Sequence, residues 1–369
     1  MDNCVIPHGY KATALGIIPQ EWEVMLLGNL SNSISSGRNK HRDAHGQYPV
    51  FGSTGIIGYS STYEYEGPVI LVARVGANAG TLNFASGQYD VSDNTLIITI
   101  KQNVYDYNFA YNQLTHYKLN KLVFGSGQPL ITSKQLKNIR IPVPPLAEQR
   151  KIAEVLGVWD KAIEKQARLI EKLALRKRAL MQRLLSAKLR LPGFSEPWKK
   201  VKLGDVAELY QPQTIQSEDL SQTGYPVYGA NGLIGYYNNY NHEYPQVVIT
   251  CRGSSCGTVN FTPGKCWITG NAMVLNVDNN RDVNKSFFYY LISNSSFVNL
   301  ISGSGQPQIV RQPLLKFELR IPPLKEQTAI AEVLTAADRE IDLAKEKLER
   351  PRRQKRGLMQ QLLTGKKRI

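Results

Sequence analysis

Two long segments of the chain place apolar residues three and four positions apart, which is the spacing of one face of an α-helix. The first segment runs from Ile152 to Leu184 and the second from Ile330 to Leu362. This spacing predicts helices that pack on each other along an apolar seam. The predicted seam residues are Ile152, Leu156, Trp159, Ile163, Ile170, Leu173, Leu180, Leu184, Ile330, Leu334, Ile341, Leu348, Leu358 and Leu362.

The sequence around each segment predicts where its helix starts and ends. PPL precedes both helices, and proline is tolerated in a first turn because its missing N–H has no intrahelical partner there. Glu148 and Glu326 lie in that turn, where a negative charge suits the helix dipole. LPGF at residues 191–194 predicts the end of the first helix, and Pro351 predicts a bend in the second. A helix of about 45 residues spans about 67 Å.

The remaining segments carry short β-branched and aromatic runs between Gly, Asn and Pro residues. Examples are PVILVARV, NTLIITI, QVVITCR and AMVLNV. Runs of this length between turn residues predict strands, so residues 20–143 and 196–321 are interpreted as β-rich domains.

The two halves of the chain repeat each other. PPLAEQRKIAEVL at residues 144–156 returns as PPLKEQTAIAEVL at residues 322–334, with ten of thirteen positions identical. YPVFGSTGIIGY returns as YPVYGANGLIGY, and GSGQP occurs in both halves. A tandem duplication predicts an α+β protein in which two β-rich α/β domains are joined by two long antiparallel coiled-coil helices, with a pseudo-two-fold internal repeat. The predicted domain bounds are 1–143, 144–191, 192–321 and 322–369.

Charge narrows the choice of partner. The net charge of the 369-residue chain is +15. Residues 146–190 contain 12 Lys and Arg against 5 Asp and Glu, and residues 324–369 contain 12 against 7, so the helices hold most of the excess. Such a charge predicts an acidic polymer as partner. No apolar run is long enough to cross a bilayer, and we expect a cytoplasmic protein without a membrane partner.

The sequence lacks the common motifs of catalysis and metal binding. The chain has no NPP or DPP tripeptide for holding a flipped base, no G-x-x-x-x-G-K-[ST] loop for ATP, and its RVGANAG segment is interpreted as a turn. His41 and His45 suit a basic loop better than a catalytic pair. Cys251, Cys256 and Cys266 lack zinc-site spacing and are interpreted as buried or half-buried strand cysteines. We expect no catalytic residue, no metal and no cofactor on this chain.

Comparing the two copies separates shared functions from differing ones. If the acidic partner is DNA and the two domains recognise different sequences, they cannot share all base contacts, so differing residues are the base-reading candidates. Arg and Lys pair with guanine edges and Gln and Asn with adenine edges. A solvated surface loop is the alternative for each position. The base-reading candidates are Arg38, Lys40, Arg42, Ser53, Thr54, Asn78, Gln213, Gln216, Asn231, Ser254 and Ser255.

Features common to both copies are candidates for phosphate contact. Arg74 and Arg252 occupy equivalent places, and the two GSGQP loops supply Ser126 and Ser304, although these loops are also plausible structural turns. Clusters of cations on the helices could contact phosphates of an unread spacer or an acidic protein partner. These helix candidates are Arg176, Lys177, Arg178, Arg352, Arg353 and Lys355.

The chain has, twice in succession, a β-rich domain followed by a helix that begins with PPLxEQxxIAxVL. This order resembles that of the specificity subunit of type I restriction-modification systems. GSGQP and KRGLMQQLLTGK add to this resemblance, which covers essentially the whole chain. It implies two target recognition domains that each recognise half of a bipartite site in double-stranded DNA, and helices that set the gap between the halves. It also implies two methyltransferase subunits as partners and, in some complexes, restriction subunits. S-adenosylmethionine, ATP and Mg would then be bound by those partners.

A second interpretation is a basic coiled-coil scaffold whose β-rich domains bind protein or glycan. The twofold repeat and the scattered tyrosines argue against it. A neighbouring reading frame with methyltransferase motifs would distinguish the two.

Overall fold

The computed structural model describes residues 6–40, 42–125, 129–229, 232–303 and 305–369. The chain forms two compact units. Unit 1 comprises Met1–Ala167 and Glu346–Ile369, and unit 2 comprises Arg168–Lys345. Each unit therefore combines one β-rich domain with the start of one long helix and the end of the other.

Unit 1 contains the first β-rich domain, and its elements alternate short strands with shorter helices. The strands, numbered along the chain, are β1 Tyr10–Thr13, β2 Gly16–Pro19, β3 Glu23–Leu26, β4 Ser31–Ser36, β5 Tyr48–Gly52, β6 Gly55–Ser60, β7 Tyr65–Glu66, β8 Val69–Ala73, β9 Leu82–Ala85, β10 Gln88–Val91, β11 Thr95–Ile100 and β12 Arg140–Val143. They pair in the orders β6-β5-β10-β7, β4-β11-β8-β9, β12-β3 and β1-β2. The helices are α1 Leu27–Leu30, α2 Tyr107–Tyr117, α3 Ser133–Lys137 and α4 Leu146–Leu184, the last of which continues beyond Ala167.

Unit 2 repeats this topology. Its strands are β13 Lys199–Lys202, β14 Glu208–Tyr210, β15 Tyr225–Gly229, β16 Gly232–Tyr237, β17 Val247–Thr250, β18 Val259–Phe261, β19 Trp267–Ile268, β20 Ala272–Asn276 and β21 Glu318–Ile321. They pair in the orders β16-β15-β19, β14-β20-β17-β18 and β13-β21. The helices are α5 Leu203–Val206, α6 Lys285–Ser293, α7 Arg311–Leu315 and α8 Leu324–Leu362.

The central strand of each domain is buried on both faces, which explains its unbroken apolar run. All five residues of β8 are buried, and alternate side chains of a strand point to opposite faces. Ile70 and Val72 join the main core with α2, whereas Val69 and Leu71 pack toward β10. In unit 2, β17 is divided between two clusters in the same way. The sheet that contains β5 and β6 in unit 1, or β15 and β16 in unit 2, is thereby held on the side of the domain away from the long helices.

The long helices pair antiparallel within each unit. In unit 1, Lys355 Nζ lies 2.6 Å from Asp160 Oδ1. In unit 2, Lys177 forms an ion pair with Asp338. These are the same pair, because 178 residues separate Asp160 from Asp338 and Lys177 from Lys355. The predicted antiparallel arrangement is therefore found in each unit.

The Glu of the repeated PPLxEQ segment is buried at the start of each long helix and binds an arginine near the end of the other helix. In unit 2, Arg190 Nε and Nη2 donate to Glu326 Oε1 and Oε2 at 2.6 and 2.8 Å. In unit 1, Arg368 donates to Glu148 at 3.1 and 2.9 Å. Trp22 Nε1 also donates to Glu148 at 3.1 Å. The two acids thus fasten the helix ends, a role beyond the dipole interaction that the sequence predicts.

The following Gln fixes the loop before the middle helix of each domain. Gln149 accepts from the Asp106 N–H at 2.8 Å and donates to the carbonyls of Val104 and Pro144, each at 2.8 Å. Gln327 makes the equivalent bonds with Asn284, Asp282 and Pro322. The segment is repeated because both domains need the same junction.

Both long helices end earlier than predicted. Each is 39 residues long, so α4 ends at Leu184 and not at the LPGF segment. The Ala187 N–H bonds to the Leu184 carbonyl at 3.3 Å and the Gly365 N–H to the Leu362 carbonyl at 3.4 Å, which is one bond of the cap made by a left-handed residue. That residue is Gly365 in the second copy but Ala187, at φ 59°, in the first. An alanine in this position concealed the stop signal.

Two other helix predictions concern Pro351 and the seam. Helix α8 continues through Pro351, so this residue does not end the helix, and the predicted bend stays a prediction. Every predicted seam residue is buried or half-buried. Near the domains the seam merges with the domain cores: Ile152 and Leu156 pack in the core of unit 1 together with Met359, Leu362 and Leu363.

Candidate nucleic-acid interface

In unit 1 the basic loop, which is the described part of residues 35–47, lies against the β5–β6 hairpin. The N–H of Asp43 donates to the Tyr59 carbonyl at 2.9 Å, and Arg42 donates to Asn39 Oδ1 at 2.8 Å. The Arg42 side chain runs so close to Gly58 that a Cβ added there would lie 2.8 Å from Arg42 Cδ. Two of the differing features, the basic loop and the hairpin turn with Ser53 and Thr54, therefore belong to one surface.

Exposure along this loop leaves its charged groups available. The Arg38 side chain is 82% exposed, with Glu64 at 3.9 Å, and Lys40 and Arg42 are also exposed. Thr54 is exposed at the hairpin turn and Ser53 is half-buried. A cationic loop held by its backbone and with exposed side chains suits contact with base edges or phosphates.

Unit 2 builds the same surface from different residues. The N–H of Ser221 donates to the Tyr236 carbonyl at 2.8 Å, and Tyr236 occupies the position of Tyr59. A Cβ on Gly235 would lie 3.3 Å from the Leu220 side chain. The amide-rich loop of unit 2, residues 210–224, thus packs on the β15–β16 hairpin as the basic loop packs on the β5–β6 hairpin.

The amide candidates of this second loop point to solvent while their backbones are fixed. Gln213 and Gln216 are exposed. The Gln213 carbonyl accepts from Trp267 Nε1 at 3.1 Å, and the Gln216 N–H donates to Asp219 Oδ2 at 3.3 Å. Asn231 lies outside the described residues.

A second cluster brings the glycine-rich turn after the central strand beside the GSGQP loop. In unit 1 the Gly76 N–H donates to the Pro129 carbonyl at 2.9 Å, and in unit 2 the Gly253 N–H donates to the Pro307 carbonyl at 3.0 Å. Asn78 and Ser254 are exposed on these turns, and Ser255 is half-buried. Ser126 and Ser304 lie outside the described residues.

Arg74 links the two clusters of unit 1. Its Nη1 donates to Ser36 Oγ at 3.3 Å, and Ser36 is the last residue of β4, directly before the basic loop. Arg74 is half-buried, whereas its equivalent Arg252 is exposed. Both arginines stay candidates for phosphate contact, with Arg252 the more accessible of the two.

The helix cations fall into two groups. Lys177 and Lys355 are held by Asp338 and Asp160, so much of their charge is neutralised inside the fold. Arg176 and Arg352 are paired with Glu340 and Glu349. Arg178 and Arg353 are exposed and form no ion pair with another described residue. These last two are the strongest helix candidates for an external anion.

Burial shifts the pKa of several titratable groups in unit 2. Burial lowers the pKa of His242, which accepts or donates a hydrogen bond with Tyr210 Oη at 2.9 Å. Burial raises the pKa of Cys251 to about 11 and also raises the pKa of Cys266. Cys251 and Cys266 are buried and Cys256 is half-buried, as predicted, but none of them lies in a strand: Cys251 follows β17, Cys256 lies in the next turn and Cys266 precedes β19. In the described ranges, no three His, Cys, Asp or Glu side chains come together as a metal site.

The predictions from sequence missed two features of the structure, one at the helix ends and one on the hairpins. It did not find the buried bonds of Glu148 and Glu326, although an arginine repeated at the same offset, Arg190 and Arg368, was the available signal. It also passed over the exposed apolar residues of both hairpins, which the repeat GIIGY and GLIGY could have marked. No helix in the described part of the chain is long and apolar enough to span a membrane.

Two β-rich domains, each presenting a differing loop on a shared framework, and two long helices that pair within each unit define a class of protein: a duplicated protein with two equivalent candidate binding surfaces. Comparison with known proteins gives the family. The family model described as "Type I restriction modification DNA specificity domain" matches residues 19–174 and again residues 195–350. The chain belongs to this family, and its two domains are target recognition domains that serve DNA recognition.

Known relatives agree over nearly the full length. The chain is 24% identical to the type I restriction enzyme MjaVIII specificity subunit of Methanocaldococcus jannaschii, covering 95% of this chain and 94% of the relative. It is 23% identical to a putative type I specificity subunit of Haemophilus influenzae, covering 85% and 86%. The crystal structure of the S subunit from M. genitalium matches with a TM-score of 0.65 at 19% identity, over 93% of this chain and 96% of that one. This likeness confirms the predicted fold.

Proposed function

We propose that this chain is the sequence-specific DNA-binding subunit of a type I restriction-modification complex, with each target recognition domain contacting one half of a bipartite site. One observation carries the proposal. In both units a loop that differs in sequence is bonded to the same position of the hairpin, Tyr59 in unit 1 and Tyr236 in unit 2. A common framework with differing exposed side chains is what two half-sites of different sequence require.

The chemistry of the two loops suggests different base preferences. The cations of the first loop suit guanine edges, and the amides of the second suit adenine edges. Arg42, whose side chain lies along the hairpin strand, is the leading candidate for a base contact in unit 1.

The long helices are proposed to set the gap between the half-sites and to dock two methyltransferase subunits, with restriction subunits joining in some complexes. S-adenosylmethionine, ATP and Mg are proposed to bind those partners and not this chain. The chain itself contributes recognition, as specificity subunits of this family do without catalysis.

The test is adenine methylome sequencing in a host that carries this chain and its methyltransferase partner. We expect one bipartite motif. Replacing Arg42→Ala should relax the motif at one base pair of one half-site, equivalent to about 1–3 kcal/mol of lost discrimination. The matched control Arg178→Ala should leave the motif unchanged.

Two results would count against the proposal. Absence of any bipartite methylation motif would reject the function itself. Uniformly weaker methylation by the Arg42→Ala variant, with an unchanged motif, would instead make Arg42 a phosphate contact.

A further inference from the structure

Each hairpin exposes two neighbouring aliphatic side chains near its turn. Ile56 and Ile57 are 53% and 39% exposed, and their equivalents Leu233 and Ile234 are 52% and 48% exposed. Side chains at successive positions of a regular strand point to opposite faces, so one of two neighbours on a packed sheet is usually covered. Here both members of each pair are exposed in both units.

A β-bulge lies at these residues in both hairpins. In unit 1 Val50 pairs with Gly58 and Phe51 with Ile56, which leaves Ile57 as the extra residue. In unit 2 the same break in register leaves Ile234 unpaired. Bulges re-aim side chains and are common beside functional sites. The bulge is thus a shared device that sets the direction of the apolar pair.

The glycine opposite the bulge fixes the isoleucine in place. A Cβ on Gly52 would lie 2.6 Å from Ile57 Cδ1, and one on Gly229 would lie 3.1 Å from Ile234 Cγ2. Each isoleucine therefore lies across a glycine of the facing strand. The tip presents a firm apolar ridge.

The duplication separates this ridge from its surroundings. The residues before it differ between the copies, GST against GAN, while the apolar pair is retained as Ile-Ile and Leu-Ile. Single exposed apolar residues need no explanation, but a pair repeated at the same bulge in two diverged domains does. Folding stability accounts for only part of it, because 39–53% of each of these residues stays exposed.

The neighbouring groups indicate the occupant. In unit 1 the ridge adjoins the loop with Arg38, Lys40 and Arg42, and the Arg42 side chain lies beside Gly58, next to the bulge. In unit 2 it adjoins the amide-rich loop at Tyr236. Cations and amides beside an aliphatic ridge match duplex DNA, whose phosphates and base edges flank an apolar base stack.

We propose that the Ile56–Ile57 and Leu233–Ile234 pairs are apolar wedges that pack against a base step in each half-site and partly unstack it. This inference rests on the proposed function and adds to it a means of recognising how easily a step deforms, without hydrogen bonds to the bases.

The experiment scans the bipartite duplex defined by the methylome with single 2-aminopurine substitutions, whose fluorescence rises on unstacking. It uses the full chain with its methyltransferase partner. Positions next to the methylated adenines are left out, because the methyltransferase flips those bases itself. The natural chain should raise the fluorescence at one step in each half-site.

Two paired variants assign the signals. Ile56→Ser with Ile57→Ser should abolish the signal in one half-site only, and Leu233→Ser with Ile234→Ser should abolish it in the other. Affinity should fall roughly ten- to hundredfold in each case. Ile56→Leu with Ile57→Leu should keep both signals. Exposed apolar residues elsewhere supply matched controls, Leu15→Ser and Val298→Ser, which should change nothing.

The outcomes distinguish the wedge from the proposed function. Site-specific binding without any unstacking signal, or a signal that survives the serine pairs, would overturn the wedge alone. Serine pairs that release the methyltransferase while the remaining DNA contacts persist would assign the ridge to protein docking. Failure of the natural chain to bind its methylated motif would overturn the proposed function and the wedge together.

Discussion

Replacing Arg190 with Met tests the buried clasp at the start of α8. Arg190 makes two charge-assisted bonds, at 2.6 and 2.8 Å, to Glu326, whose side chain is 1% exposed. Met retains the aliphatic packing of the arginine stem and removes its charge. The substitution therefore leaves a buried carboxylate without its cation.

The expected loss follows from the burial of this carboxylate. Breaking a buried ion pair by removing one partner costs about 3–5 kcal/mol, because the remaining charge is uncompensated. The equivalent substitution Arg368→Met should cost less, about 1–3 kcal/mol, for two reasons. Glu148 retains the bond from Trp22 Nε1, and the Arg368 side chain is 41% exposed. Trp198, the counterpart of Trp22, has a buried Nε1 that makes no bond with another described residue.

The assay is thermal unfolding of the full chain by calorimetry. For a unit of this size, each kcal/mol corresponds to about 2–4 °C in Tm. Arg190→Met should lower the Tm clearly more than Arg368→Met does. Adding Glu326→Gln to Arg190→Met should restore part of the loss, since the buried charge is then gone. Equal effects of the two arginine variants, or no recovery in the double variant, would refute this reasoning.

Three further predictions concern pH, salt and spacing. Burial holds the pKa of His242 below its ordinary value of 6.5, so the unfolded chain binds more protons there as the pH falls. Stability should therefore decline as the pH drops below about 6.5, and His242→Gln should reduce that decline; identical pH profiles in calorimetry would contradict this. Neutralising Arg178 and Arg353 together should make the slope of log K for DNA binding against log salt concentration less steep by about 2. Neutralising the ion-paired Lys177 and Lys355 should change that slope less, and equal changes would show that the two pairs of cations do not differ in their contact with DNA. Inserting one helical turn in α4 should lengthen the preferred gap in the methylation motif by about one or two base pairs with both half-sites unchanged, and an unaltered gap would reject the helices as its determinant.

The elements set by repetition and periodicity could be predicted from the sequence. The seam from Ile152 to Leu184 and the runs around β8 and β17 follow from spacing alone, because burial on one face or on both leaves a direct trace in the order of apolar residues. The duplication then indicated that the two halves share one topology. The antiparallel pairing found in each unit followed from these two observations.

Features that depend on contacts distant in sequence could not be predicted in this way. Glu148 and Arg368 are 220 positions apart, and nothing local distinguishes a buried glutamate from one on a helix surface. The charges of Lys177 and Lys355 looked available for DNA because their partners lie on the other helix. The early end of α4 was hidden because Ala187 takes a conformation usually given to glycine.

The division of the chain into units also bears on its synthesis. Unit 2 is continuous in sequence, but unit 1 needs residues 346–369, which leave the ribosome after all of unit 2. The domain translated first is therefore completed last, and until then the surface of Ile152 and Leu156 that receives Met359 and Leu362 stays uncovered. Domains usually fold in order from the N-terminus, and here the order of completion is reversed. A released chain that ended at residue 345 would carry a finished second domain and an unfinished first one.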